Sequence, residues 1–198
     1  PCRMEDIKSY RPADKSICEG QVLSCPYPYE KARLIIQEMT ESLAFRLSDL
    51  KMITDSLTLT VGYDRTNCTT GSYQGEIHID HYGRSVPKAA HGTIHLDPPT
   101  NLGSRLIDAA VRLYAQITSP QLLVRRISIA ANRVIEDHGI YQLNLFTDMK
   151  KLEREKKLQE TMLDIKKRFG KNSVLKGTSF LDGATMRERN GQIGGHKA

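Results

Sequence analysis

The sequence lacks the patterns on which most catalytic sites depend. It contains no glycine-rich phosphate loop, no nucleophile beside an activating base and no convincing pair of carboxylates. We expect no signal peptide, and no apolar run approaches the roughly 20 residues needed to cross a bilayer. Its four cysteines, at positions 2, 18, 25 and 68, form no CxxC pair and no ligand-like spacing with histidine. We therefore expect a soluble, cytoplasmic chain with free thiols, without a metal site or cofactor of its own, and not itself an enzyme.

Net positive charge is absent from the body of the chain and concentrated in its tail. Residues 1–147 contain 16 Lys+Arg and 16 Asp+Glu, whereas residues 148–198 contain 13 and 7, which accounts for the whole excess of six. Basic excess in one segment is typical of segments that bind nucleic acid, and a solvated helix face gives the same count. The length suits one compact domain followed by an extension that does not join it.

Hydrophobic periodicity predicts alternating strands and helices. Apolar residues recur every three or four positions in the helical segments and every second position in the strands. The predicted elements are a strand over 16–24, a helix over 29–50, strands over 56–63 and 91–97, a helix over 102–117 and a strand over 124–135, with a short extension over 76–82. We expect a bulge in the first strand, whose apolar residues lie around Gly20, and an end to the third strand at Pro98-Pro99. The order β-α-β-β-α-β predicts an α+β fold of two layers, with two helices on one face of a four-stranded sheet.

The other face of the predicted sheet is open, and short polar side chains line it. Its members are Ser56, Thr58, Thr60, Thr93, His95, Arg126, Ser128 and Asn132. An RNA-recognition module of this topology stacks bases on aromatic side chains, and this face has none. Hydroxyls with an arginine suit the phosphate oxygens of duplex DNA, which such groups bind without reading sequence. The alternative is that threonine alternation merely reflects the preference of this residue for strands.

A metal-dependent enzyme is a second possible interpretation, because five potential ligands cluster in the sequence. They are His78, Asp80, His81, His91 and His95. On one strand His91 and His95 would lie about 13 Å apart, whereas two ligands of one zinc ion lie roughly 3 to 4 Å apart. His78 with Asp80 supplies only two ligands. We therefore interpret the group as a polar loop and a surface strand.

Five segments, in this order, resemble the C-terminal part of Y-family translesion DNA polymerases, closest to the UmuC-type lesion-bypass enzymes of Gram-positive bacteria. The segments are TDSLTLTVGYD (54–64), YGRSVPKAAHGTIHL (82–96), LVRRISIAANRV (123–134), QLNLF (142–146) and the tail from LDIKKRFGKNSVLKGTSF to GGHKA (163–198). The resemblance covers essentially the whole chain. It implies a role in error-prone DNA repair, as in the bacterial SOS response.

The resemblance also implies a division of the chain. Residues 1–15 would be the linker from an upstream thumb domain, and residues 16–137 the little-finger domain, whose open sheet binds damaged or duplex DNA by its backbone. Residues 138–147 would be a clamp-binding segment, and residues 148–198 a helical, basic tail. The palm and fingers, with the carboxylates that hold two Mg²⁺ ions, would lie upstream. The alternative is an unrelated ferredoxin-like binding or regulatory module.

The resemblance suggests particular DNA-binding residues. Arg125-Arg126 matches an arginine pair at the start of the last little-finger strand, and Arg126 is the better candidate because it falls on the open face. Thr93 occupies a backbone-contacting position. Arg84 and Lys88 lie in a long loop, where they would either follow the template or simply increase solubility. The full predicted set is Thr58, Thr60, Arg84, Lys88, Thr93, His95, Arg125, Arg126 and Ser128.

Gln142 to Phe146 resembles the peptides with which bacterial proteins bind the sliding clamp, except for Asn144 at the third place. Gln142 would be the hydrogen-bonding head, Leu143, Leu145 and Phe146 the apolar anchors, and Asn144 would point outward. The alternative is that these apolar side chains pack back on the domain. Their position, just after the last strand and beyond His138-Gly139, favours a partner.

The tail after the peptide divides into two parts. Residues 148–169 are rich in Lys, Glu and Leu, and we expect a long, mostly exposed helix that ends before Gly170. Residues 170–198 show no core pattern. We expect order there only through contacts with a partner or with upstream domains.

Overall fold

The computed structural model describes residues 3–5, 14–69, 73–139, 148–193 and 196–197. Its strands are β1 (Ile17–Tyr27), β2 (Met52–Tyr63), β3 (Ile77–Ile79), β4 (Ser85–Pro87), β5 (Ala90–Thr100), β6 (Val124–Asn132), β7 (Ile135–Glu136), β8 (Gln192–Ile193) and β9 (His196–Lys197). Its α-helices are α1 (Tyr29–Asp49), α2 (Thr66–Thr69), α3 (Gly103–Ile117), α4 (Met149–Phe169) and α5 (Met186–Arg189), and a 3-10 turn spans Gly177–Phe180.

The main sheet contains β1, β6, β2 and β5 in that spatial order, and all neighbours are antiparallel. The short strand β7 pairs with the start of β2. Helices α1 and α3 contact each other and cover one face of this sheet. The predicted β-α-β-β-α-β order and the two-layer α+β fold are confirmed.

The core lies between the sheet and the two long helices, α1 and α3. Every second side chain of β2 and β6 points into it, and one stripe of each helix meets them. The side chains with no exposed surface include Ile35, Ile36, Met39, Leu43, Leu47, Leu57, Leu59, Val61, Leu106, Tyr114 and Ile127. The Tyr29 and Tyr114 rings stack with centroids 4.5 Å apart. The Tyr114 hydroxyl donates to the Tyr29 carbonyl at 3.1 Å, so that a buried polar group has a partner.

Two details of the predicted strands are wrong, the end of the third strand and the single strand over 124–135. Strand β5 does not end at Pro98-Pro99 but continues to Thr100, because β5 is an edge strand and a proline there need not donate to a neighbour. Strand β1 does contain an irregularity, as predicted, between Val22 and Tyr27, where the pairing with β6 shifts. Residues 124–135 do not form one strand, because Arg133 has a positive φ of 46° and separates β6 from β7.

Helix α4 is long and contains no buried residue, as predicted, and it ends before Gly170. It is nevertheless held to the domain by the side-chain amide of Gln159. The Gln159 oxygen accepts from the Gly103 amide at 2.8 Å, at the N-terminus of α3. Its nitrogen donates to the Ser48 hydroxyl at 2.7 Å and to the Asn101 carbonyl at 2.8 Å. One side chain thus joins α4 to the end of α1 and the start of α3.

The segment after α4 also packs on the domain, through the carboxylate of Glu38 on α1. Glu38 is 2% exposed, and its Oε2 accepts from the backbone amides of Thr185 at 2.8 Å and Met186 at 3.0 Å. Met186 is itself buried. The expectation that order after Gly170 requires a partner or upstream domains is therefore wrong: α1 and β1 of the same chain supply the contacts.

The basic residues of the tail meet carboxylates of the body. Among the described residues, ion pairs link Lys156 to Asp137, Lys167 to Asp49, Lys176 to Glu41 and Arg189 to Glu19. The excess positive charge of residues 148–198 is in part neutralised by the side of the domain that carries the helices. It is therefore weaker evidence for nucleic-acid binding by the tail than its count implies.

The predicted clamp peptide, Gln142 to Phe146, lies outside the described residues, as does most of the predicted linker over 1–15. Cys18, Cys25 and Cys68 are free thiols. Within the described ranges, no helix has both the length and the apolar character that crossing a membrane requires.

Candidate nucleic-acid interface

The strand register arranges the open face of the sheet in four rows. Side chains within a row lie on directly paired residues of neighbouring strands, and the rows follow one another at every second residue along each strand. The rows are Val22–Arg126–Gly62, Gly20–Ser128–Thr60–His91, Cys18–Ala130–Thr58–Thr93 and Asn132–Ser56–His95. None of these positions is a carboxylate, and most are short. The face is therefore a low, polar surface that an anion can approach closely.

Hydroxyl groups in the middle of this face are held by one another. The Thr58 and Thr93 hydroxyl oxygens lie 2.7 Å apart across the β2–β5 pair, and the Asn132 amide donates to the same Thr58 oxygen at 2.8 Å. The Thr60 hydroxyl lies 2.9 Å from His91 Nδ1. Cross-strand bonds of this kind fix rotamers, so the donors lie at set positions before any ligand arrives.

Arg126 is the cation of the open face, as predicted. Its side chain is exposed, and it pairs with Gly62 on β2. A Cβ added at Gly62 would lie 3.2 Å from the Arg126 Cβ, so the glycine leaves room beside the arginine stem. No ion pair engages Arg126 among the residues that the structure describes, so its guanidinium is available to an anion.

A second cation, Arg133, lies at the opposite end of the face. Its guanidinium donates to the Asp55 carboxylate at 2.9 Å and lies 3.2 Å from His95 Nδ1. Asp55 therefore neutralises Arg133, while His95 remains exposed beside the pair. Ser56 belongs to the predicted face but is only 2% exposed, and the pairing of β2 with β5 shifts register between Thr54 and Ser56.

Arg84 and Lys88 lie away from this face, and the predicted long loop that contains them includes part of a hairpin formed by β3 and β4. Arg84 binds the Asp80 carboxylate at 2.7 Å, and Lys88 binds Glu76 at 2.8 Å. The hydrogen bond from Arg84 lowers the pKa of Asp80, and that from Lys88 lowers the pKa of Glu76. Both cations are thus partly neutralised within the hairpin, although their DNA contact stays a prediction.

Arg125 does not lie on the open face. It points toward the end of β2, where its Nε is 3.8 Å from the Asp64 carboxylate. Of the nine predicted DNA-binding residues, six share the open face, namely Thr58, Thr60, Thr93, His95, Arg126 and Ser128. Arg84, Lys88 and Arg125 lie outside it, each near a carboxylate.

The histidine-rich group is spread over separate structures. His78 contacts Glu76 in the hairpin at 3.0 Å, whereas His91 and His95 lie on β5 and contact Thr60 and Arg133. Within the described part of the chain, no three His, Cys, Asp or Glu side chains form a group that could hold a metal ion.

Among the residues of this face whose side chains could bind an anion, sequence reasoning missed His91 and Arg133. His91 has the same parity along β5 as Thr93 and His95, so strand alternation alone would have included it. Arg133 carried no such signal, because it follows the strand in a turn and reaches the face only through its positive φ.

The structure describes the residues on both sides of the predicted clamp peptide. Before it, the Gly139 amide donates to the Asp137 carboxylate at 2.9 Å, and Lys156 of α4 donates to the same side chain at 3.2 Å. After it, the Asp148 side chain accepts from the Lys151 amide at 3.1 Å and caps α4.

Comparison with known proteins identifies the family. The model of the impB/mucB/samB family C-terminal domain matches residues 14–145. The chain is also 23% identical over 184 residues to the Bacillus subtilis (strain 168) protein named "Putative UV-damage repair protein UvrX". That match covers 92% of this chain and 39% of the relative, so the chain spans well under half of the relative's length. The chain therefore belongs to the impB/mucB/samB family, whose C-terminal domain it carries, in agreement with its resemblance to the C-terminal part of Y-family DNA polymerases.

Proposed function

We propose that the open face of the sheet binds duplex DNA by its phosphate backbone, without sequence preference. The observation that carries this proposal is the composition of the four rows, which combine hydroxyls, histidines and Arg126 and contain no carboxylate. Phosphate oxygens accept from such donors, and they would be repelled by the acidic residues that occur on the other side of the domain. Family membership supports the same conclusion, and it sets aside an unrelated ferredoxin-like module.

A salt titration tests this proposal. Fluorescence anisotropy of labelled duplexes of two unrelated sequences would measure affinity over a range of salt concentrations. We expect similar affinities for both duplexes and a linear fall of log affinity with log salt, with a slope of about 0.9 for each phosphate neutralised. A strong preference for one sequence, or affinity that does not change with salt, would contradict backbone binding.

We further propose that residues 142–146 bind the bacterial sliding clamp. The support is the pattern of a polar head with three apolar anchors, together with its position between Asp137, which accepts a bond from Lys156 of α4, and Asp148, which caps the start of α4. A clamp bound there would hold the domain near the replication site. The higher local concentration of the sheet would then compensate for its weak affinity for DNA.

Variants of the peptide separate its anchors from its outward residue. Replacing Leu145 and Phe146 by alanine should abolish clamp binding in a calorimetric titration while the thermal melt stays unchanged. The matched control is Asn144→Ala, which should bind almost as well as the parent sequence. Equal affinity of all three forms would show that the peptide does not contact the clamp.

We infer that the parent protein is an error-prone Y-family DNA polymerase that synthesises past lesions in DNA repair. In that protein an upstream palm would hold two Mg²⁺ ions on acidic side chains, and the domain described here would hold the primer-template. The support is the family match and the named repair role of the relative. Primer extension across a template lesion by the full-length parent, lost when paired palm carboxylates are replaced, is the expected result. Extension that survives their replacement would refute the inference.

A further inference from the structure

The function proposed above does not use a groove on the helix-bearing side of the domain. It lies between α1, α4 and the tail and encloses about 510 Å³. Its apolar lining is Phe45 from α1, Leu163 from α4 and Met186 from α5. The groove exists only because the tail packs on α1, since Met186 and the turn after Gly170 form part of its wall.

The charges around this groove do not balance. Its two carboxylates, Glu19 and Asp49, are already paired with Arg189 and Lys167. Three further cations line it, namely Arg46, Lys166 and Lys171, and none of them forms an ion pair with a carboxylate among the described residues. Arg46 reaches only the Cys18 carbonyl, at 3.5 Å. The groove therefore presents uncompensated positive charge beside an apolar floor.

The surroundings of Lys166 show most clearly that, among the described residues, this groove lacks a carboxylate to pair with its free cations. Its ammonium donates to the Lys171 carbonyl at 2.9 Å and lies 5.4 Å from the centre of the Phe45 ring. Partial burial lowers its pKa, and Glu41, whose charge opposes that shift, is itself paired with Lys176. A partly desolvated ammonium is stabilised by a carboxylate at hydrogen-bonding distance.

We propose that this groove binds an acidic peptide segment of a partner protein, with an apolar side chain against Phe45, Leu163 and Met186 and carboxylates on Arg46 and Lys166. The apolar floor favours a peptide over nucleic acid, because a phosphate backbone has no side chain to bury there. The site lies on the opposite side of the domain from the four rows of the open face. A partner held there leaves that face free, and the proposal stands whether or not the open face binds DNA.

A labelled peptide of glutamates interrupted by leucine and phenylalanine is the probe, and the full chain is titrated against it by fluorescence anisotropy. Saturable binding that weakens with salt is expected, together with methyl chemical-shift changes at Leu163 and Met186. A peptide with lysine in place of glutamate should not bind. Lys166→Gln and Arg46→Gln should each lower the affinity about tenfold. The matched control is Lys157→Gln, which removes the same charge from α4 about two and a half turns away and should have no effect.

Two results would overturn the proposal. The first is no binding, or binding that Lys157→Gln weakens as much as Lys166→Gln, which would indicate a diffuse response to net charge. The second is competition between the peptide and duplex DNA with loss of peptide binding in Arg126→Ala, which would place the peptide on the open face. A thermal melt of each variant confirms that the tail remains packed, and Arg46→Gln keeps the test valid if Lys166→Gln loosens it.

Discussion

Replacing Glu38 by alanine should release the tail without unfolding the domain. The Glu38 carboxylate accepts two backbone amide hydrogens, from Thr185 and Met186. A hydrogen bond to a charged group contributes about 1.5–3 kcal/mol. Because Thr185 is only half-buried, water would partly replace the lost bonds, so we expect a total cost of about 2–4 kcal/mol. That cost falls on the contact between the tail and α1, since the core between sheet and helices does not involve Glu38.

Hydrogen exchange of the Thr185 and Met186 amides measures this effect directly. A cost of about 2 kcal/mol corresponds to roughly a thirtyfold increase in the open population, and about 4 kcal/mol to roughly a thousandfold. Amides of β2 and β6 should keep their protection. The control is Glu160→Ala, an exposed glutamate of α4, which should leave all rates unchanged. Unaltered exchange at residues 185 and 186 in Glu38→Ala would refute the assignment of Glu38 as the anchor of the tail.

Other predictions concern the core and the attachment of α4. Gly92→Ala should lower the free energy of unfolding by about 1–3 kcal/mol, because the new Cβ would lie 2.8 Å from an Ile117 methyl, whereas Gly177→Ala meets nothing within 4 Å and should be neutral in a urea titration. Burial raises the pKa of Tyr114, so the unfolded chain loses the phenol proton first, and stability should fall as pH rises above about 10. Thermal melts of Tyr114→Phe should show a shallower fall over the same range. Gln159→Ala removes three hydrogen bonds and should speed exchange in α4 by roughly ten- to a hundredfold, a loss of about 1.5–3 kcal/mol.

The fold was predictable because its signals are local. Alternation over residues 56–63 and helical spacing over 29–50 depend only on which side of an element meets the core, and both appear in the structure. The residues of the open face were predictable from the same alternation, because every second side chain of a strand lies on the face away from the core. The pairing of Thr58 with Thr93 did not, because it depends on register between strands that lie far apart in the chain.

The packing of the tail was not predictable from the sequence. Glu38 lies beside the apolar stripe of α1 and has the character of a solvent-facing residue, yet its partners are the amides of residues 185 and 186, 147 and 148 positions away. Backbone amides carry no sequence signal. The contacts of Gln159 were equally unpredictable from the sequence, because its three partners lie in α1 and at the start of α3, more than 50 positions away.

The measurement that most directly tests DNA binding by the open face is the salt dependence of duplex affinity in Arg126→Ala. Loss of one phosphate contact should lower the affinity for every sequence alike and reduce the slope of log affinity against log salt by about 0.9. Arg154→Ala removes an equal charge from an exposed position on α4, the helix that packs against α1 and the start of α3, and should leave the slope unchanged. Equal slopes for the parent chain and Arg126→Ala, or an equal reduction in both variants, would contradict DNA binding by this face.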